Sequence, residues 1–290
     1  MFEISSVYHQ KNRMSTKEVT PMYKIFDIHT HAYPDAIASR AVDSLADFYS
    51  LPVEGNGTHA QLEDEMTQIR SIGFLLFAVA INPHQVHKVN DSVAAFVHRS
   101  RERGFLTAGF GGIHQDSPDM EEEIERMLTL GLQGVKIHPD IQRVNIDDDR
   151  MLRLYALIEG RMPLYVHMGD GREEYPYSRA ERLARVMKQF PRLEVVAAHL
   201  GGYLQWDAAE RLAGTPNLWF DTSSALWAMS AERATHLIRL FGTDRVMFGS
   251  DYPIVKPSSE IKRFMTLELE EEERRNILYD NAMRFLNITE

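Results

Sequence analysis

The sequence predicts a single-domain (β/α)8 barrel, the TIM barrel, over residues 22–290. Three observations predict it: eight short runs rich in β-branched and aromatic residues, amphipathic helical stretches between them, and histidines or acids at the ends of several runs. The strand-like runs are residues 23–29, 74–81, 105–111, 134–138, 164–168, 194–200, 218–222 and 245–250. A doubly wound open sheet is the alternative. It would ordinarily carry a glycine-rich phosphate turn after an early strand, whereas the first run here ends in "DIHTHAYPD".

Residues 1–21 lack the apolar segment of a signal peptide and read as a flexible N-terminal extension, with Met1, Met14 and Met22 as alternative starts; a cytoplasmic location is the resulting expectation. Between the strands, Gly73, Gly104, Gly131, Gly160, Gly214 and Gly242 each follow a helical stretch, where a left-handed cap favours glycine. In "SPDMEEEIERMLTLG", Ser117 is the expected N-cap, Pro118 the first helical residue and Gly131 the stop. The acidic run at 267–276 reads as a solvated helix face.

Composition restricts the function. A hydrophobic share of 44% and a charged share of 26% fit a folded globular chain. A net charge of −10 supplies no basic footprint for nucleic acid or an anionic membrane, and the longest apolar run, 74–81, is too short to span a bilayer. With no cysteine, a metal must be held by His, Asp or Glu. The expected partner is a small molecule.

His29 and His31 end the first run. On a strand, residues two apart face the same side about 6.6–6.8 Å from each other, so both imidazoles can reach one ion. His138, His167 and His199 end the fourth, fifth and sixth runs, and Asp251 follows the eighth. All lie at C-terminal strand ends, the rim on which barrel enzymes build their active sites.

Taken together, "FDIHTH", "GLQGVKIHP", "PLYVHMGD", "FPRLEVVAAHLGG", "NLWFDTS", "RVMFGSDYP" and "NILYDNAMRFL" resemble the amidohydrolase superfamily, and within it the amidohydrolase-2 group of metal-dependent barrel hydrolases and decarboxylases. The resemblance implies that His29, His31 and His167 ligate one divalent ion, Zn²⁺ with Mn²⁺ as the alternative. Asp251 would be a further ligand or the base, and His199 would contact the substrate or the reacting oxygen. It also implies that the chain can form a homodimer.

The leading expectation is hydrolysis of a C–O or C–N bond, as in a lactone or amide, with Asp251 moving the proton and His199 stabilising the oxyanion. Non-oxidative decarboxylation of an aromatic or unsaturated acid on the same site is the closest rival. A TatD-like nuclease and a catalytically silent barrel stand further off. His138 and Arg172 are the expected substrate contacts, Arg172 through a bidentate pair with a carboxylate. Trp227 and Tyr252 are weaker candidates for the pocket wall. Lys136, on the face of His138, is expected to sit deeper in an ion pair rather than to bridge a second metal.

Overall fold

The computed structural model describes residues 23–288; the expected extension over residues 1–21 lies outside the described residues. All eight expected strands form: β1 (Phe26–Thr30), β2 (Gly73–Phe77), β3 (Leu106–Gly112), β4 (Gly134–Ile137), β5 (Leu164–Val166), β6 (Val195–Ala197), β7 (Leu218–Asp221) and β8 (Val246–Met247). They pair in sequence order, each parallel to the next. The chain after β8 returns to β1, where Ile28 N–H donates to Phe248 O, Asp251 N–H to His29 O and His31 N–H to Tyr252 O at 2.8–2.9 Å. These bonds complete the circle. Helices cover the outside, among them α1 (Asp35–Tyr49), α2 (His59–Gln68), α3 (Val86–Glu102) and α4 (Met120–Thr129).

Two apolar layers hold this shell. Residues such as Phe26, Ile28, Phe77, Phe110 and Tyr165 fill the barrel interior, and Tyr279 and Phe285 from the C-terminal helices join the same cluster. The other layer, including Leu76, Val135, Leu154 and Ile238, lies between strands and helices. Because strands of a covered parallel sheet are buried on both faces, they read as continuous apolar runs; that is why "GFLLF" is buried throughout.

Several local expectations are corrected. The later strands are shorter than their apolar runs, so His138, His167 and His199 lie just beyond β4, β5 and β6 rather than within them, while Asp251 follows β8 as expected but at a greater remove. An apolar run records burial, and rim segments are as buried as the strands. Gly73 is not a helix cap: it opens β2, and a Cβ there would lie 1.7 Å from the Leu106 carbonyl oxygen, while Arg70 takes the left-handed position after α2 (φ 56°). Nor does Ser117 cap α4. The helix starts later, with Asp119 at its N-cap, although Gly131 does end it with φ 75°.

Candidate active site

The site begins with a departure from regular pairing. β1 pairs with β2 through a register shift between Asp27 and Thr30. Phe26 and Ile28 both belong to the interior cluster, so strict alternation would send His29 outward; the shift re-aims it inward, against Phe77 (ring centroids 4.9 Å) and Tyr165 (5.2 Å). On the β8 side, Gly249 leaves the necessary space, since a Cβ there would fall 2.8 Å from that of His29.

The expected residues meet unevenly. Ligand atoms of His29, His31 and Asp251 lie within 4.8 Å of one another. Asp251 Oδ1 is 3.2 Å from His29 Nε2 and 3.8 Å from His31 Nε2, and its Oδ2 accepts from Ser224 Oγ at 2.6 Å. His167 joins this trio through His199, whose Nε2 faces His167 Nδ1 at 2.9 Å. His167 also belongs to a second group with His138 and Asp140, and its ring stacks on that of His138 at 3.7 Å.

Asp221 organises the centre, although it is not among the site residues expected from the sequence. It is fully buried at the end of β7, and its Oδ2 accepts from His29 Nδ1 at 2.9 Å. Its Oδ1 accepts from the His199 backbone N–H (3.0 Å) and from Ser223 Oγ (2.5 Å), and Tyr165 Oη donates to Oδ2 as well. The available signal was an acid ending an apolar strand in "NLWFDTS", at the same rim as the histidines. Asp27, whose Oδ1 accepts from the backbone N–H groups of His29 (3.1 Å) and Ser250 (3.0 Å), secures the β1–β8 seam.

Counting protons tests whether a cation fits. His29 donates from Nδ1 to Asp221 and turns Nε2 to the Asp251 carboxylate; against burial and Lys136, the Asp251 and Asp221 carboxylates hold its pKa above the usual histidine value, so Nε2 carries a proton that a bound cation would displace. His199 Nδ1 faces the Ser223 carbonyl (2.9 Å) and His167 Nε2 the Gly169 carbonyl (3.0 Å), so both nitrogens must carry hydrogen. As neutral rings, the two then point lone pairs at each other across 2.9 Å. Burial depresses both, His199 to about 4 and His167 well below the usual histidine range. Lone pairs on neutral imidazoles beside an ionised carboxylate are the donor set of a divalent metal, with the other nitrogen of His29 held by a carboxylate as ligating histidines commonly are.

The remaining electrostatics agree. Burial would raise Asp251, but the charge and hydrogen bond of His29 hold it well below the usual carboxylate range. Burial and the His29 charge keep His31 low, and therefore neutral. Non-glycine residues with left-handed backbone gather at this rim: His199 (φ 59°), Leu200 (51°), Ser224 (51°) and Asp251 (66°). Such conformations persist where surrounding structure fixes them, commonly at functional sites.

Beside the cluster lies a cavity lined by Tyr49, Leu51, Tyr203, Trp227 and Ile254 with His167, His199, Ser224 and Asp251. Its free space of ≈ 10 Å³ is that of about one water. Tyr49, from the end of α1, had no sequence signal; its hydroxyl meets His138 Nε2 at 2.6 Å. His138 also accepts the Ile141 backbone N–H at Nδ1, so both ring nitrogens are engaged.

Arg172 departs from its expected place. It forms the bidentate pair with Asp170 (2.9 and 2.7 Å), donates to Phe48 O at 2.6 Å and lies between the Phe48 and Tyr175 rings. It pins α1 to the loop after β5 instead of facing the cavity. Lys136 also departs from expectation: its ammonium has no hydrogen-bond partner among the described residues and lies 4.4 and 4.6 Å from the Phe77 and Tyr165 ring centroids. Tyr252 points away from the cavity lining, toward Thr58 O (3.0 Å).

An eight-stranded parallel barrel with a histidine–aspartate cluster at its C-terminal mouth is the architecture of metal-dependent barrel enzymes. The family model described as amidohydrolase, Amidohydro_2, matches residues 26–288, and the chain belongs to that family. Among solved structures it is similar to an uncharacterised TIM-barrel protein from Bordetella bronchiseptica (21% identity, TM-score 0.70, covering 91% of this chain and 98% of that one). It is also similar to 5-carboxyvanillate decarboxylase from Sphingomonas paucimobilis (18%, 0.69, 92% and 100%). A third is the 5-carboxyvanillate decarboxylase from Novosphingobium aromaticivorans complexed with manganese and 4-hydroxy-3-methoxy-5-nitrobenzoic acid (15%, 0.68, 92% and 97%). At these identities the likeness establishes the fold. No helix among the described residues is long and apolar enough to cross a membrane.

Proposed function

We propose that this chain is a metal-dependent, non-oxidative decarboxylase of an aromatic or unsaturated carboxylic acid, acting on a small molecule without nucleic acid or membrane. The observation that carries this reading is the cavity wall: Tyr49, Leu51, Tyr203, Trp227 and Ile254 give the histidine–aspartate cluster an aromatic and apolar neighbour. Such a wall suits a flat unsaturated ring, and a water-poor cavity favours converting a localised carboxylate into neutral CO2. The decarboxylases among the similar structures support the same choice. Hydrolysis, the leading expectation from the sequence, has no comparable support in the cavity.

His29, His31 and Asp251 are the proposed ligands of one divalent ion, with His167 completing the set; metal analysis will choose between zinc and manganese. The chemistry such an ion supplies when bound is Lewis-acid polarisation of a substrate oxygen. The chain's own groups do the rest. Ser224 fixes the Asp251 carboxylate, Asp221 fixes the His29 ring, and the aromatic wall orients the substrate. As the bond to the carboxylate breaks, CO2 leaves, the electron pair stays on carbon, and carbon takes a proton from solvent that the free lone pair of His199 Nε2 picks up and relays.

The reading is tested with metal-reconstituted protein and a panel that includes 5-carboxyvanillate and 2,6-dihydroxybenzoate. CO2 release, with deuterium from D2O at the vacated carbon, is expected. Incorporation of ¹⁸O from water into a lactone or amide, with no CO2 from any acid, would overturn it.

A further inference from the structure

Among the described residues that line the cavity, one carries a buried polar atom without a partner: Trp227, whose Nε1 is shielded from solvent and bonded to nothing. Several of its polar neighbours are already engaged. Tyr49 is hydrogen-bonded to His138 and Ser224 to Asp251, while His167 and His199 face each other. Trp227 follows β7 on the segment that also carries Ser223 and Ser224, which are tied to Asp221 and Asp251, and its ring lies 6.0 Å from that of Tyr203. A buried indole N–H without an acceptor is unfavourable, and a ligand oxygen would relieve it.

We propose that Trp227 Nε1 is the specificity-determining donor of this site, serving an acceptor oxygen on the ring of an aromatic acid, apart from the group held at the His29–Asp251 cluster. This inference rests on the decarboxylase reading for its substrate class. Indole only donates, so hydroxyl, methoxy, nitro or carboxylate oxygens qualify and an ammonium does not. A site built around such a bond discriminates against analogues that lack the acceptor.

The chain's three tryptophans supply their own controls. Trp206 Nε1 already donates to His199 O at 2.9 Å, whereas Trp219 Nε1 is unpartnered but lies against Phe285, outside the cavity. Indole ¹⁵N–¹H spectra of the metal-loaded protein, assigned with single Trp→Phe variants, are recorded with 4-hydroxy-3-methoxy-5-nitrobenzoic acid and with benzoate, which lacks ring oxygens. The first should move the Trp227 signal downfield and leave Trp219 in place; benzoate should leave both. By calorimetry Trp227→Phe should lose about tenfold in affinity for the substituted acid, the size of one hydrogen bond, and nearly nothing for benzoate.

The wild-type spectrum reads the bond even if that variant folds poorly. Binding of the substituted acid with Trp227 unmoved overturns the inference and leaves the decarboxylase reading standing. Failure of both probes to bind the metal-loaded wild type overturns both.

Discussion

Replacing Lys136 by methionine should stabilise the metal-free protein, and the gain should shrink as pH rises. The Lys136 side chain is buried, and its ammonium has no hydrogen-bond partner among the described residues and lies against the Phe77 and Tyr165 ring faces, with the charges of Asp221 and Asp251 offsetting part of the burial. Burial lowers its pKa from 10.5 to about 8. Between those values the unfolded chain binds the proton that the folded chain releases, so stability rises with pH and is fully recovered only above the unfolded value. A gap of about 2.5 units is worth about 3 kcal/mol at pH 7, falling to about 1.4 kcal/mol at pH 9.5.

Methionine keeps a similar volume against both rings and removes the charge. The expected gain in EDTA is about 3 kcal/mol at pH 7, or roughly 6 °C in Tm for a chain of this size, and about half of that at pH 9.5. Denaturant melts of both proteins at pH 7, 8.5 and 9.5 measure it. Ionisation of tyrosines in the unfolded state cancels in the difference. A variant no more stable than wild type at pH 7, or an advantage that is constant with pH, refutes the reasoning.

Asp221→Asn should weaken metal binding by about 10–100-fold, the usual cost of losing the group that orients a ligating histidine, as measured by chelator competition. His167→Ala should lose most bound metal by elemental analysis, whereas Asp251→Asn should keep the fold and much of the metal but lose turnover; unchanged turnover would remove Asp251 from the mechanism. Because the cavity holds about one water's volume, substrate entry requires the end of α1 to move. Arg172→Ala, which removes the tie between Asp170 and Phe48 O, should therefore speed proteolysis near residues 48–52 and raise KM more than it lowers kcat.

Strand number and order were legible because a parallel sheet buried on both faces writes itself as apolar runs, and helices between them leave their own period. Strand ends were less legible, as β6 and β8 demonstrate: burial continues past the last ladder bond. The convergence of His29, His31 and Asp251 could be anticipated because each stands at a strand end, and the fold places strand ends on one rim. Arg172 could not be placed this way. A loop arginine pairs with whichever acid the loop brings near, here Asp170 two residues away.

The sequence by itself determined the barrel and the ring of ligand-type side chains at its mouth, since both follow from the spacing of residues along single strands. Only the tertiary structure decided that Asp221 holds His29, that Tyr49 reaches His138 from α1, and that Trp227 lines the cavity with a donor to spare. Each of these depends on the separation of atoms that meet across 192, 89 or comparably many residues, set by packing between elements. Local period carries no record of such distances.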